Sequence, residues 1–205
     1  MNQGVPTDLE TADGLSLEGA LSLPSGDVVA AMTLAHPHPA YGGDMHAGVV
    51  GLLPELLVPH GIAVLRWNFR GVGRSAGAHA GGADEPLDVV AALDHLDGLG
   101  LGVPIHLAGW SFGADVSLAV EDERHAGWIG IAPPLSFTGD APAAGSDERP
   151  TLLLVPEHDQ FRPPAGAEAA TAAWTATEIE VVGSTDHFLG GRTSAIAERI
   201  VAAIS

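Results

Sequence analysis

The pentapeptide Gly109-Trp110-Ser111-Phe112-Gly113 follows an apolar, strand-like run at 103–108 and opens a helix-like stretch at 114–120. A strand that passes into a helix through so short a link must turn sharply. The turn holds its central residue in a strained backbone conformation with the side chain clear of the main chain. Glycines two residues to either side remove the Cβ atoms that would hold the helix away from the neighbouring strand. Ser111 is therefore a candidate nucleophile. A serine hydroxyl is inert at neutral pH until a base takes its proton and donors receive the oxyanion it generates. The chain must supply both elsewhere.

Around the turn, apolar β-favouring runs alternate with helix-like stretches, the pattern of βα units around a largely parallel sheet. Strands are expected at 15–23, 28–35, 61–67, 103–108, 128–132, 151–155 and 178–182, and the first two are expected to pair as a hairpin across Pro24-Ser25-Gly26. Helices are expected at 45–57, with Pro54 as a kink or boundary, and at 84–96, 114–120, 168–175 and 193–204. Residues 68–82 are too glycine-rich for regular structure, and 133–150 reads as a loop or small flap, too short for a separate cap domain. No repeat or linker divides the 205 residues, so one domain spanning 1–205 is expected.

Composition narrows the function classes. Hydrophobic residues make up 46% and charged residues 17%, as in a globular chain. No apolar segment approaches the roughly 20 residues that span a bilayer, and the first residues show no basic and apolar leader. A cytoplasmic protein that engages no membrane is the default. There is no cysteine, which removes disulfides, thiolate metal sites and a cysteine nucleophile. All eight basic residues are arginines against 26 acids, and a net charge of -18 would repel nucleic acid. That acidity reads as solubility or salt adaptation.

The base and its orienting carboxylate are expected late in the chain. Asp159 follows the 151–155 strand by a few residues, and His187 lies in the loop before the last helix, giving the order Ser, Asp, His. Each group follows a strand, where open α/β sheets place their ligand sites. Glu157, Asp186 and Asp140 compete for the acid position, and nine other histidines compete for the base. One oxyanion donor is expected at the Phe112 amide. The second falls in His36-Pro37-His38-Pro39, where prolines have no N–H to offer; this leaves His38, with Ala40 or Tyr41 as alternatives. Gly42-Gly43 would bring that loop close to a substrate.

Two other patterns carry less. His36, His38 and His46 have a spacing that a metal could use, yet Asp44 is the one carboxylate beside them, and the oxyanion role accounts for both the prolines and the position. No metal or other cofactor is expected. Gly71-Val72-Gly73 lacks the third glycine and the distant acid of a dinucleotide fingerprint and reads as a structural turn, with Arg70 and Arg74 either bracing loops or solvated.

Together these residues resemble the α/β-hydrolase superfamily, and over nearly the whole chain a small, capless bacterial subgroup related to dienelactone hydrolases. The likeness is carried by 36–39 with Gly42-Gly43-Asp44-Met45, by 68–75, by 109–113, by Glu157-His158-Asp159 and by Asp186-His187-Phe188. It implies a mostly parallel sheet of about eight strands, flanked by helices on both faces and without a separate cap domain, and Ser111, Asp159 and His187 as a triad. Dienelactone hydrolases proper use cysteine where this chain has Ser111, which points away from that activity and leaves ester hydrolysis. The expected function is cleavage of a small carboxylic ester or thioester through an acyl-enzyme, in a monomer or homodimer. Tyr41, Trp110, Phe137, Phe161 and Phe188 would line a shallow pocket. An amide hydrolase on the same residues, a non-catalytic binding module on the same fold, and a protein that docks a partner through its acidic surface or last helix are the alternatives.

Overall fold

The computed structural model describes residues 4–136 and 142–204. Eight strands form one sheet: β1 (Val5–Glu10), β2 (Ser16–Ser22), β3 (Ala30–Ala35), β4 (Ile62–Trp67), β5 (Ile105–Trp110), β6 (Gly127–Ile131), β7 (Thr151–Pro156) and β8 (Thr177–Val182). The helices are α1 (Gly48–Leu57), α2 (Glu85–Gly98), α3 (Phe112–Leu118), α4 (Ala143–Ser146), α5 (Pro164–Thr171) and α6 (Thr193–Ile204). The strand order is β1-β2-β4-β3-β5-β6-β7-β8.

From β4 to β8 all pairings are parallel, whereas β2 runs antiparallel to both β1 and β4. The sheet is therefore mixed, and the hairpin expected between 15–23 and 28–35 does not form. Its place is taken by β1 and β2, paired from Val5 with Leu21 to Glu10 with Ser16. The reason lies in burial. Every residue of β3 is buried, as suits a strand covered on both faces between two parallel neighbours. In β1 Leu9 alone is fully buried, so an edge strand carrying Asp8 and Glu10 left little hydrophobic signal.

Helices cover both faces. Val49, Val50, Leu53 and Leu57 of α1 share a core with Ile196, Ala197 and Ile200 of α6, while Val89, Leu93 and Leu96 of α2, Val116 of α3 and Ala167 of α5 fill the opposite face. Pro54 lies inside α1, and the helix continues through it to Leu57. Between β6 and β7 the described residues hold only the four-residue α4.

The 68–75 segment is a knot that ties β2 to the site. The Asn68 side chain accepts from the Met45 amide and donates to Glu18, while the Ser75 hydroxyl donates to the Asn68 carbonyl and accepts from the Glu18 amide. Arg70 is buried and braces this knot: Nε and Nη2 donate to Asp88 at 2.9 and 2.7 Å, and Nη1 to Asp13 at 3.1 Å. Arg74 is exposed beside Glu18. Because Asp88 is fully buried, its loss would leave the Arg70 Nε and backbone amide without their acceptor, while Asp13 and Asp84 still face the guanidinium. Asp88→Ala is therefore expected to cost about 1–3 kcal/mol, read as a fall in the urea midpoint at unchanged slope.

Candidate active site

Ser111 stands between β5 and α3 with φ 55° and ψ −121°, the left-handed region that L-residues avoid. Its neighbours hold it there. The Ser111 amide donates to the Ile131 carbonyl at 2.9 Å, continuing the β5–β6 ladder into the turn. A Cβ at Gly109 would overlap the Gly113 backbone, and one at Gly113 would lie 2.6 Å from the His36 carbonyl oxygen and 2.7 Å from that of Ala35. Both glycines are therefore required by close packing, one against the helix and one against β3.

His187 arrives from the loop after β8 and Asp159 from the loop after β7. The His187 Nε2 lies 2.8 Å from the Ser111 hydroxyl, and its Nδ1 lies 2.8 Å from Asp159 Oδ2. The other carboxylate oxygen accepts from the amides of Phe161 at 2.8 Å and Arg162 at 3.0 Å. Burial pushes the Asp159 carboxyl up, but the bonds from His187, Arg162 and Phe161 outweigh this and hold it below its ordinary value. It is thus ionised at neutral pH. Its stabilising contribution is present above the ordinary carboxylate range and is lost as pH falls through its depressed value. An ionised Asp159 fixes the proton of His187 on Nδ1 and leaves Nε2 free to accept the serine proton.

Trp110 holds the histidine from below. Its indole N–H donates to the His187 carbonyl at 3.2 Å, and its ring is buried, directly under the position a Gly48 side chain would occupy. Trp110 is thus a support rather than an open pocket wall. Phe161 and Phe188 pack on the imidazole at 4.5 and 5.9 Å between ring centres, yet are 59% and 61% exposed. Tyr41 is 89% exposed beside His38. Phe137 and Asp140 lie outside the described residues. Of the other rival acids, Glu157 accepts from the Ser184 amide and Asp186 from the Phe188 amide, whereas the carboxylate bonded to the imidazole is that of Asp159.

The loop after β3 is held by its own backbone. The Ala40 amide donates to His38 Nδ1 and the Tyr41 amide to the His38 carbonyl, so both alternatives to the His38 amide are occupied. The Phe112 amide opens α3 and has no acceptor within the helix. Among the described residues neither the His38 nor the Phe112 amide has a partner. Gly43 donates to the His38 carbonyl, and a Cβ there would overlap the Pro37 carbonyl. Gly43→Ala is therefore expected to displace the loop, and with it the open His38 amide, and to lower turnover about 100-fold, with substrate KM little changed in steady-state assays.

The histidines of this loop differ in role. His36 is fully buried; the Phe69 amide donates to its Nε2 at 3.0 Å and its Nδ1 donates to the Pro37 carbonyl at 2.6 Å. Burial pulls it down to about 4, so it is a neutral strut with both ring nitrogens committed. Sequence reading missed its neighbours His79 and Glu85. Glu85 is fully buried, takes the His79 Nδ1 proton bond at 2.6 Å, and accepts from the Ala80 and Gly82 amides at 2.7 Å each. The His79 ring then packs on His38 and Phe112, the two residues with open amides, at 4.8 and 5.4 Å. Only the glycine-rich loop before a helix hinted at this pair. Asp115 and Arg162, which hold residues 134–136, carried no signal at all.

Comparison with known proteins agrees with this architecture. An α/β serine hydrolase homologue from Coxiella burnetii is 30% identical, superposes with a TM-score of 0.86, and is matched over 98% of this chain and 97% of its own. The chain belongs to the α/β serine hydrolases. A second member of the family, an α/β serine hydrolase without lid from Xanthomonas campestris, is 26% identical to this hydrolase, with a TM-score of 0.83 over 100% of this chain and 94% of its own. An uncharacterized protein of Rickettsia prowazekii is 29% identical over 178 residues, 80% of the hydrolase and 74% of the relative. No protein-family model matches the sequence. Among the described residues of this hydrolase, no helix is long and apolar enough to cross a membrane.

Proposed function

We propose that this protein cleaves a small carboxylic ester or thioester through an acyl-enzyme, with Ser111 as nucleophile, His187 as general base and then acid, and Asp159 as the group that orients and stabilises the imidazolium. The observation that carries the reading is the unbroken relay of 2.8 Å contacts from Asp159 to His187 to a serine held at φ 55°. In the first step the Ser111 oxygen attacks the carbonyl carbon and its proton passes to His187 Nε2. The amides of His38 and Phe112 receive the oxyanion, and the imidazolium protonates the departing alcohol or thiol. Water then enters by the same route, His187 taking its proton, and releases the acid.

No cofactor or metal has a step in this route. The proposed setting is a capless, cytoplasmic monomer or homodimer whose partner is the substrate itself. The rim that a substrate meets is aromatic: Tyr41, Phe161 and Phe188 are the exposed aromatic side chains among the described residues. That composition supports an apolar or aryl acyl group rather than a charged one, in keeping with a chain whose net charge repels anions. A panel of nitrophenyl esters with matched thioesters and anilides tests the reading. Ester or thioester turnover above that of the matched anilide is expected; an anilide cleaved faster than its ester would transfer the reading to amide hydrolysis.

A further inference from the structure

We propose that Asp115 is a positioning residue for this site: with Arg162 it clamps residues 134–136 between the nucleophile's helix and the carboxylate of Asp159, and only its ionised form holds the clamp. The inference rests on Ser111 acting as the nucleophile.

Asp115 lies on α3, one helical turn beyond Ser111. Each of its oxygens receives one amide, Leu135 on Oδ1 and Ser136 on Oδ2, both at 2.9 Å. The carbonyls of the same segment face the other way. Arg162 Nε donates to the Pro134 carbonyl at 2.7 Å and Nη2 to that of Leu135 at 3.1 Å, while the Arg162 amide is one of the two that fix Asp159. Residues 134–136 thus bridge two elements of the site. On one side is the helix whose first amide faces the proposed oxyanion; on the other is the loop that carries the acid.

The segment does not hold this shape by itself. Ala132 and Leu135 have φ of 45° and 52°, a left-handed backbone that residues with a Cβ disfavour. An ionised carboxylate accepts both amides. A protonated one turns a hydroxyl hydrogen toward one of them and gives up that bond. Asparagine does the same with its NH2 group.

Charge supports the geometry. Burial pushes the Asp115 carboxyl up to about 6, against the two amides and the positive charge of Arg162. The other titratable group that acts on it is His187, from the loop after β8. On α2, which packs against α3, Glu85 is committed to His79 and Asp88 to Arg70, and on β5 His106 is pulled down to about 4 by burial and carries no charge. A folded-state value above the unfolded one means that the folded chain holds this proton more tightly. Stability therefore falls as pH rises from the ordinary carboxylate range to about 6. Holding both amides in register is the part of this contact that only the carboxylate supplies.

The test is the rate at which a fluorophosphonate modifies Ser111, followed by mass from about pH 4.5 to 9 for wild type, Asp115→Asn and Arg162→Gln, with thermal melts at about pH 8. In the reaction the Ser111 oxygen bonds to phosphorus, fluoride leaves, and the serine proton goes to His187. On the acid side the wild-type logarithmic rate is expected to fall more steeply than that of Asp115→Asn, by the one further proton that Asp115 takes up. Asp115→Asn is expected to lack that extra steepness, to react about 10- to 100-fold more slowly at high pH, and to remain folded in the melt. Arg162→Gln is expected to move the acid limb to higher pH, because the charge that favours the ionised carboxylate is gone, and it decides the matter if Asp115→Asn does not fold. The proposal is overturned if Asp115→Asn keeps the wild-type slope and rate, or if Arg162→Gln leaves the limb in place. A folded wild type that is never labelled at Ser111 overturns the nucleophile assignment itself, and this inference with it.

Discussion

Replacement of Ser111 by alanine is expected to lower ester turnover by on the order of 10³-fold or more, leaving the residual rate that binding and oxyanion donors supply without a nucleophile. The expectation follows from where the hydroxyl sits. It lies 2.8 Å from His187 Nε2, and among the described residues no second hydroxyl is bonded to that nitrogen. KM should change little, because the hydroxyl adds almost nothing to ground-state binding. The variant should fold as well as wild type: alanine keeps the small side chain and loses a single bond at the surface of the site. Initial rates across a nitrophenyl ester series, with near-ultraviolet spectra to confirm folding, read the effect. Turnover within tenfold of wild type would remove Ser111 from the chemistry.

Asp159→Asn is expected to lower turnover by on the order of 10⁴-fold at near-native geometry. The surroundings of the side chain explain so large an effect from so small a change. On the Oδ1 side two amides, those of Phe161 and Arg162, donate toward it and demand an acceptor. The asparagine carbonyl must take that place, which turns its NH2 toward His187 Nδ1. Facing a donor, Nδ1 gives up its hydrogen, and the proton moves to Nε2, where it blocks acceptance from Ser111. The loss is thus one of tautomer, not of position, and should ease at high pH, where hydroxide substitutes for the lost base. Asp186→Asn and Glu157→Gln, whose carboxylates serve the Phe188 and Ser184 amides, should remain close to wild type. An Asp159→Asn enzyme within tenfold of wild type, or an Asp186→Asn enzyme that fails, would place the orienting carboxylate elsewhere.

Much of this arrangement was legible because it is written locally. The elbow needs a strand, five residues and a helix, all contiguous, and the two prolines around His38 remove competing amides by covalent structure alone. Asp159 and His187 could be found from their order and from their place just after strands, without any knowledge of distance. What the sequence hid depends on tertiary surroundings. The edge strand β1 buries one residue of six, too little to mark it, and without it β2 had only β3 as an apparent partner. Helix α5 begins at Pro164, whose fixed backbone suits a first helical position, four residues before the helix expected at 168–175. His79 with Glu85, and Asp115 with Arg162, are pairs joined across loops. A half-buried aspartate in a helix looks the same on paper whether it faces water or two amides.

The central claim is that folding alone makes the Ser111 oxygen nucleophilic. Site mapping by mass spectrometry after brief exposure to a fluorophosphonate tests it most directly, on the native chain and on the same chain in denaturant. One adduct per molecule, carried by the peptide that contains Ser111 and absent from the denatured sample, is the expected result. A native protein that takes no adduct, or takes it on a different serine, would contradict the account.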